Sequence, residues 1–313
     1  MPEKLNHFVE SQQLTPSIID YLFKRADELR PGPHTYLQGK ILALLFYEPS
    51  TRTRMSFETA MSRMGGTYSS TENAEEFSSA VKGESLEDTI RVVSKYANCV
   101  VIRHKEEGSA AIAAELSKVP VINAGDGKGQ HPTQALLDIY TINKEIGRLN
   151  DFKIAMVGDL KKGRTVRSLA YLLGKFKGIE ITFVSPEHLR IGNDIKAYLV
   201  RHNISFSEED DLNKVIPKMD IIYMTRTQKE RMSEEERKNH EDYEKKGKVF
   251  AITTDNFNLV RNDARILHPL PKVDEINLPI ETEEKDPRIA YFRQVENGLY
   301  IRMALLDMLI NSS

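Results

Sequence analysis

The chain has 313 residues, of which 40% are hydrophobic and 29% charged, with a formal net charge of -2. That length suits two ordinary domains, because single cores stop growing near this size. The near-neutral balance leaves no electrostatic footprint for nucleic acid or for an anionic membrane surface.

The amino terminus MPEKLNHFVE carries no apolar segment of the signal-peptide kind, and the longest apolar run, ILALLFY at 41–47, is too short to cross a bilayer. Neither export nor membrane insertion is expected, and the expected location is cytoplasmic. Thr15 and Pro16 start a helix whose apolar residues Ile18, Ile19, Leu22, Phe23, Ala26 and Leu29 share a face, and Pro31-Gly32-Pro33 stops it. KILALLFYE (40–48) reads as a buried strand. Phe57, Ala60, Met61 and Met64 then form the apolar stripe of a helix ended by Gly65-Gly66. The serine-rich stretch 67–82 shows no apolar period and is expected to be a long loop. SLEDTIRVVSKY suggests a further helix, followed by the strand CVVIR (99–103), a helix over 110–117 and the strand VPVINAG (119–125).

Pro132 opens a helix running through Ile142, after which the rhythm restarts. FKIAMVGD, IEITFVSP, MDIIYMTR, VFAITTD and ARILHPLP read as strands, with helices over 166–176 and near 194–202. The final stretch GLYIRMALLDMLI is helical in pattern. Such alternation predicts an α/β fold of two domains, each a mostly parallel sheet flanked by helices, joined by interdomain helices. The expected boundaries are 1–131 for the first domain, completed by a carboxyl-terminal helix at about 293–313, then 132–150 as the linking helix and 151–292 as the second domain. The single cysteine, Cys99, sits in the apolar run CVVI and reads as a buried inert thiol; with eight scattered histidines it offers no metal-ligand spacing. No metal and no cofactor are expected.

YEPSTRTRMSFE (47–58) falls at the turn from the first strand into a helix. A helix start leaves N–H groups unpaired and carries the positive end of the helix dipole. Ser50, Thr51 and Thr53 add hydroxyl donors, and Arg52 and Arg54 add planar forks suited to phosphate oxygens, so the stretch is built as a phosphate cradle. Arg103 and His104 end a strand, and His131 and Gln134 open a helix, which should bring them to the same sheet edge. GDLKKGRT (158–165) imitates a nucleotide phosphate loop but has Arg164 where that motif needs lysine. Arg164, and Arg226 and Gln228 in MTRTQKER, instead follow strand ends at the expected ligand edge, as does HPLP (268–271).

Taken in order, PSTRTR, SxxxK with KGE, RH, HPTQ, GDLxxGRT, TRTQKER and HPLPKVDEI resemble the catalytic chains of the aspartate carbamoyltransferase family, over nearly the whole sequence. The resemblance implies transfer of the carbamoyl group from carbamoyl phosphate to L-aspartate, giving N-carbamoyl-L-aspartate and phosphate in pyrimidine biosynthesis, without cofactor or catalytic metal. It makes the first domain the carbamoyl phosphate-binding one and the second the aspartate-binding one. Ser50, Thr51, Arg52, Thr53 and Arg103 resemble the carbamoyl phosphate site. Thr53, Arg103 and His131 would face the carbonyl oxygen as the catalytic donors, and Gln134 would hold the carbamoyl nitrogen. Arg164, Arg226 and Gln228 resemble the aspartate carboxylate site, joined by the backbone around Pro269, Leu270 and Pro271. Ser78 and Lys82 resemble a loop reaching into a neighbouring subunit's site, which implies a homotrimer with shared sites, and Lys82 would touch both substrates. Glu48 and Arg231 resemble residues that hold a closed domain arrangement.

Both His131 and the departing phosphate fit as acceptors of the amine proton, and separate regulatory chains are a further possible partner. The chain departs from the family pattern at Lys161-Lys162-Gly163, where lysine-tyrosine-glycine is common, at Arg167, a frequent histidine position, and at Lys272, in place of an arginine. Two rival readings stand beside this one. An ornithine carbamoyltransferase shares STRTR and HPxQ, but it typically carries HCLP and an aspartate-bearing SMG segment where this chain has HPLP, Arg226 and Gln228. A catalytically silent homologue acting as a binding subunit would have no physical reason to keep so many mutually repelling arginines.

Overall fold

Strand β1 (Ile41–Phe46) is buried at five of its six positions, as its sequence ILALLF requires of a strand covered on both faces. It belongs to a computed structural model that describes residues 4–72, 83–228, 232–245 and 250–311. The chain divides into two units, one of Met1–Tyr140 with Glu296–Ser313 and one of Thr141–Val295.

In the first unit, helix α1 (Pro16–Glu28) starts where the Thr15 hydroxyl accepts from the Ile18 N–H at 3.3 Å. β1 leads into α2 (Thr51–Arg63), β2 (Thr67–Glu72) and α3 (Leu86–Val93), the last capped by Ser85, which accepts from the Asp88 N–H at 3.1 Å. Strand β3 (Cys99–His104), α4 (Ser109–Leu116) and β4 (Val121–Asp126) complete a sheet ordered β2-β1-β3-β4. All its pairings are parallel. Ala43, Leu45, Val100 and Ile102 pack with Ile90, Ala110 and Ala113 on one face. Each fully buried valine or isoleucine among them contributes about 1.5–3 kcal/mol. Cys99 lies in this sheet fully buried, and burial raises its thiol pKa far above the ordinary range, which keeps it inert.

The long loop expected over 67–82 is corrected at its start. Residues 67–72 form β2, paired to β1 from Ile41↔Thr67 to Phe46↔Glu72. An edge strand needs only backbone partners on one side, so TYSSTE forms one without any apolar alternation. Residues 73–82 lie outside the described residues.

Helix α5 (Pro132–Ile146) carries the chain into the second unit. There follow β5 (Lys153–Val157), α6 (Arg164–Leu173), β6 (Glu180–Val184), α7 (Asn193–Arg201), β7 (Ser205–Glu209), the short α8 (Leu212–Val215) and β8 (Ile221–Met224). Then come α9 (Glu234–Lys245), β9 (Ile252–Thr253), β10 (Arg265–Leu267), β11 (Ile276–Asn277), α10 (Ile280–Lys285) and α11 (Tyr291–Asn311), which returns the chain to the first unit. Five strands form a parallel sheet ordered β10-β8-β5-β6-β7, around a core that includes Ala155, Val157, Ile222, Met224 and Ile266.

VFAITTD contributes only β9, and β9 pairs with β11 rather than joining the main sheet. The cause is local: the Asn256 side chain accepts from the Thr253 N–H at 2.9 Å and donates to the Ala251 carbonyl at 2.9 Å, which turns the chain out of its strand.

Candidate active site

Ligands of parallel sheets collect at the carboxyl ends of the strands where the strand order reverses. In the first unit the reversal falls between β1 and β3, and in the second between β5 and β8.

At the first reversal β1 runs into Glu48, Pro49 and the start of α2. Ser50 is the capping residue of α2, but its side chain makes no capping hydrogen bond. The first-turn N–H groups therefore keep their capacity for an anion. Thr51 and Arg52 are exposed, whereas Thr53 is buried. Arg54 lies to the side, paired with Glu58 at 2.7 Å and Glu72 at 3.1 Å. Arg103 stands beside the exit of β1, in register with Phe46, and its main-chain carbonyl accepts from the Tyr47 N–H at 2.8 Å. Its guanidinium donates to the Ala124 carbonyl at 3.1 Å and pairs with Glu48 at 3.0 Å, which holds the fork in one geometry. His131 and Gln134, both buried, open α5 just after β4. The His131 ring lies 3.3 Å from the Thr133 hydroxyl, and the Gln134 amide donates to Asp138 at 2.8 Å.

At the second reversal Arg164 starts α6 just beyond β5 and is buried, and Arg226 and Gln228 follow β8. Asp159 ties these strand ends together. Its carboxylate accepts from the Lys162 N–H at 3.0 Å and from the Gln228 N–H at 3.3 Å. Burial is the largest influence on Asp159 and leaves its pKa raised in spite of those two hydrogen bonds. Only glycine fits at Gly158. Its φ is +115°, and a Cβ there would lie 2.2 Å from the Thr225 carbonyl oxygen. Lys161 and Lys162 both pair with Glu236 at the start of α9. Hydrogen bonds from Lys162, from the Ser233 N–H and from Lys161 hold that carboxyl down to about 2.

HPLP follows β10. His268 accepts at Nδ1 from the Leu270 N–H at 2.7 Å, which leaves the ring proton on Nε2, 2.7 Å from Glu275. That hydrogen bond anchors Leu270 at a φ of +57°, a conformation costly for a branched residue.

The expected residues of each domain thus gather at one end of its own sheet: Ser50, Thr51, Arg52, Thr53, Arg103, His131 and Gln134 in the first unit, Arg164, Arg226, Gln228, Leu270 and Pro271 in the second. Ser78, Lys82 and Arg231 lie outside the described residues. Two departures from the family pattern find partners: Arg167 pairs with Asp194, and Lys272 with Glu283 at 2.7 Å. Sequence reasoning missed the supporting residues Asp138, Asp159 and Glu275. A signal existed for Asp138, four residues after Gln134 and so on the same helix face. Asp159 and Glu275 stood inside the quoted motifs without a role.

Two family models match the chain: "Aspartate/ornithine carbamoyltransferase, carbamoyl-P binding domain" over residues 6–144 and "Aspartate/ornithine carbamoyltransferase, Asp/Orn binding domain" over residues 150–309. The chain is 49% identical to aspartate carbamoyltransferase 3, chloroplastic, of Pisum sativum, over 98% of this chain and 78% of that protein. It is similar to the catalytic subunit of M. jannaschii aspartate transcarbamoylase, with a TM-score of 0.88 and 45% identity over 99% of each chain. The Trypanosoma cruzi aspartate transcarbamoylase in complex with carbamoyl phosphate and aspartate gives a TM-score of 0.90 at 34% identity, over 98% of this chain and 97% of the other.

Proposed function

This chain belongs to the aspartate/ornithine carbamoyltransferase family, and we propose that it transfers the carbamoyl group of carbamoyl phosphate to the amino group of L-aspartate, releasing N-carbamoyl-L-aspartate and phosphate. The observation that carries the reading is the pair of arginine-bearing strand ends, one at the reversal of each sheet. The first combines an open helix start with the preset Arg103 fork. The second carries Arg164 and Arg226, the cationic pair that a dicarboxylic acceptor needs and a cationic one would reject.

Ser50, Thr51 and Arg52 hold the phosphate. As the amine attacks, negative charge builds on the carbamoyl oxygen, and Thr53, Arg103 and His131 donate to it more strongly in the transition state than in the ground state. Gln134 takes the carbamoyl nitrogen. Arg164, Arg226 and Gln228 hold the two aspartate carboxylates, and the backbone at Leu270 and Pro271 accepts from substrate nitrogen. Fixing both substrates in line supplies the remaining acceleration through proximity. After the C–N bond forms, the C–O bond to phosphate breaks with its electron pair leaving on phosphate, and the amine proton passes to His131 or to the departing phosphate, so no protein nucleophile is needed.

Ser78 and Lys82 of a neighbouring copy complete the site in a homotrimer, and Glu48 and Arg231 hold the closed state. A cytoplasmic location belongs to the same reading. The pea relative is named chloroplastic, so a tagged chain that fractionates with an organelle would overturn that part alone. Steady-state assays with carbamoyl phosphate and either aspartate or ornithine test the reaction itself. Turnover is expected with aspartate; faster turnover of ornithine, or none of either, rejects the assignment.

A further inference from the structure

Behind the first strand-end site runs a buried polar line that the reaction scheme does not use. The Gln134 amide Nε2 donates to Asp138 Oδ1 at 2.8 Å, and Asp138 is fully buried. A carboxylate only accepts, so the amide end facing Asp138 must be the NH2 end. The Oε1 end is then the one left for a ligand. Arg302, on α11, is 5% exposed, donates to the Ser56 hydroxyl at 2.9 Å and lies 5.2 Å over the Phe57 ring. Burial pushes its pKa down to about 10 while the charge of Asp138 pulls it up. Ser56 and Phe57 belong to α2, whose first turn is the phosphate cradle. The line therefore joins the cradle helix to Gln134 within one unit.

Stability alone gives a weak reason for this arrangement, because buried groups of opposite charge are often replaceable by apolar residues at no loss. We infer that Asp138, backed by Arg302, is a positioning residue that locks the Gln134 amide with its carbonyl toward the donor substrate, and so selects a carbamoyl over an acetyl group. This deepens the function proposed above and rests on Gln134 meeting the carbamoyl nitrogen. A carbamoyl NH2 donates to Oε1. The methyl of an acetyl group cannot, and it would leave a buried acceptor unpaired.

The test compares kcat/KM for carbamoyl phosphate with that for acetyl phosphate, with aspartate saturating. Their ratio is independent of the fraction of enzyme that is folded and active. In Asp138→Asn the neighbouring amide offers either an acceptor or a donor, so both Gln134 orientations become available. The ratio is expected to fall at least tenfold, while competitive inhibition by inorganic phosphate stays within threefold of wild type. The double variant Asp138→Asn, Arg302→Gln removes both charges together and is expected to show the same fall. Gln134→Met serves as the control. If it leaves the ratio unchanged, the role of Gln134 is wrong and the inference falls with it. If Gln134→Met collapses the ratio and the Asp138 variants keep it within twofold, the inference alone is overturned. A loss of phosphate inhibition equal to the loss of turnover overturns it as well, since that marks a merely structural role.

Discussion

Arg52 and Arg103 show what the residue scale adds. Both are forks in the proposed anion site, but Arg103 is held by Glu48 and the Ala124 carbonyl, whereas Arg52 is exposed at the open start of α2. Glu48, expected to act in domain closure, has its carboxylate on Arg103 in the first unit. In the proposed reaction, truncating Arg52 would remove a charged contact to the leaving group while sparing the packed core, because Arg52 is exposed. Arg52→Ala is expected to lower kcat about a hundredfold or more, with a thermal midpoint within a few degrees of wild type. Activity within tenfold of wild type, measured by phosphate release, would remove Arg52 from the cradle. The motif YEPSTRTRMSFE made the strand-to-helix turn legible and Arg52 a candidate, because both rest on local pattern: a hydroxyl and arginine run after an apolar strand. Arg302 stayed hidden because it acts at a distance, 164 positions from Asp138 in the chain and brought near it only by folding.

At the scale of elements, the segment after β10 is organised by one carboxylate. Glu275 accepts from His268 and, at 3.1 Å, from the Val273 N–H. Burial pushes its pKa up, and the hydrogen bond from His268 with those from the backbone outweighs it, so the net pKa lies below the ordinary 4.5. A folded pKa below the unfolded one contributes stability that is fully present above pH 4.5 and is lost as pH falls through the folded value. Stability below pH 4.5 is therefore expected to fall less steeply in Glu275→Gln than in wild type. Parallel slopes in urea melts taken across that range would reject Glu275 as a source of acid sensitivity. Elements with an apolar period were legible in chain order, as α1, β1 and α11 show. β2 and β7 were not, because TYSSTE and SFSEE draw their structure from pairing to an inner strand rather than from their own side chains.

At the scale of the whole molecule, the proposed homotrimer makes a prediction that no single chain can satisfy. An Arg52→Ala chain still supplies Lys82, and a Lys82→Ala chain still supplies Arg52. If sites are shared, mixing the two inactive proteins under conditions of subunit exchange is expected to restore up to about a third of wild-type activity per mixed trimer, by the geometry of one intact site among three. Exchange confirmed by native mass spectrometry without recovered activity would reject shared sites.

The sequence by itself determined the α/β class, the order of its main strands and the candidate residues placed past their ends. These follow from local chemistry: apolar period, helix caps, and cations placed just past strand ends. The tertiary structure alone decided which strand ends are neighbours, because the reversals between β1 and β3 and between β5 and β8 arise from long crossovers. It also decided which carboxylates stand behind the arginines and Gln134. Glu48 and Asp159 became supports only when Arg103 and the Gln228 backbone, far along the chain, closed on them, whereas Asp138 and Glu275 meet Gln134 and His268 within a few residues. A buried charge takes its role from its partners, and those partners are set by packing.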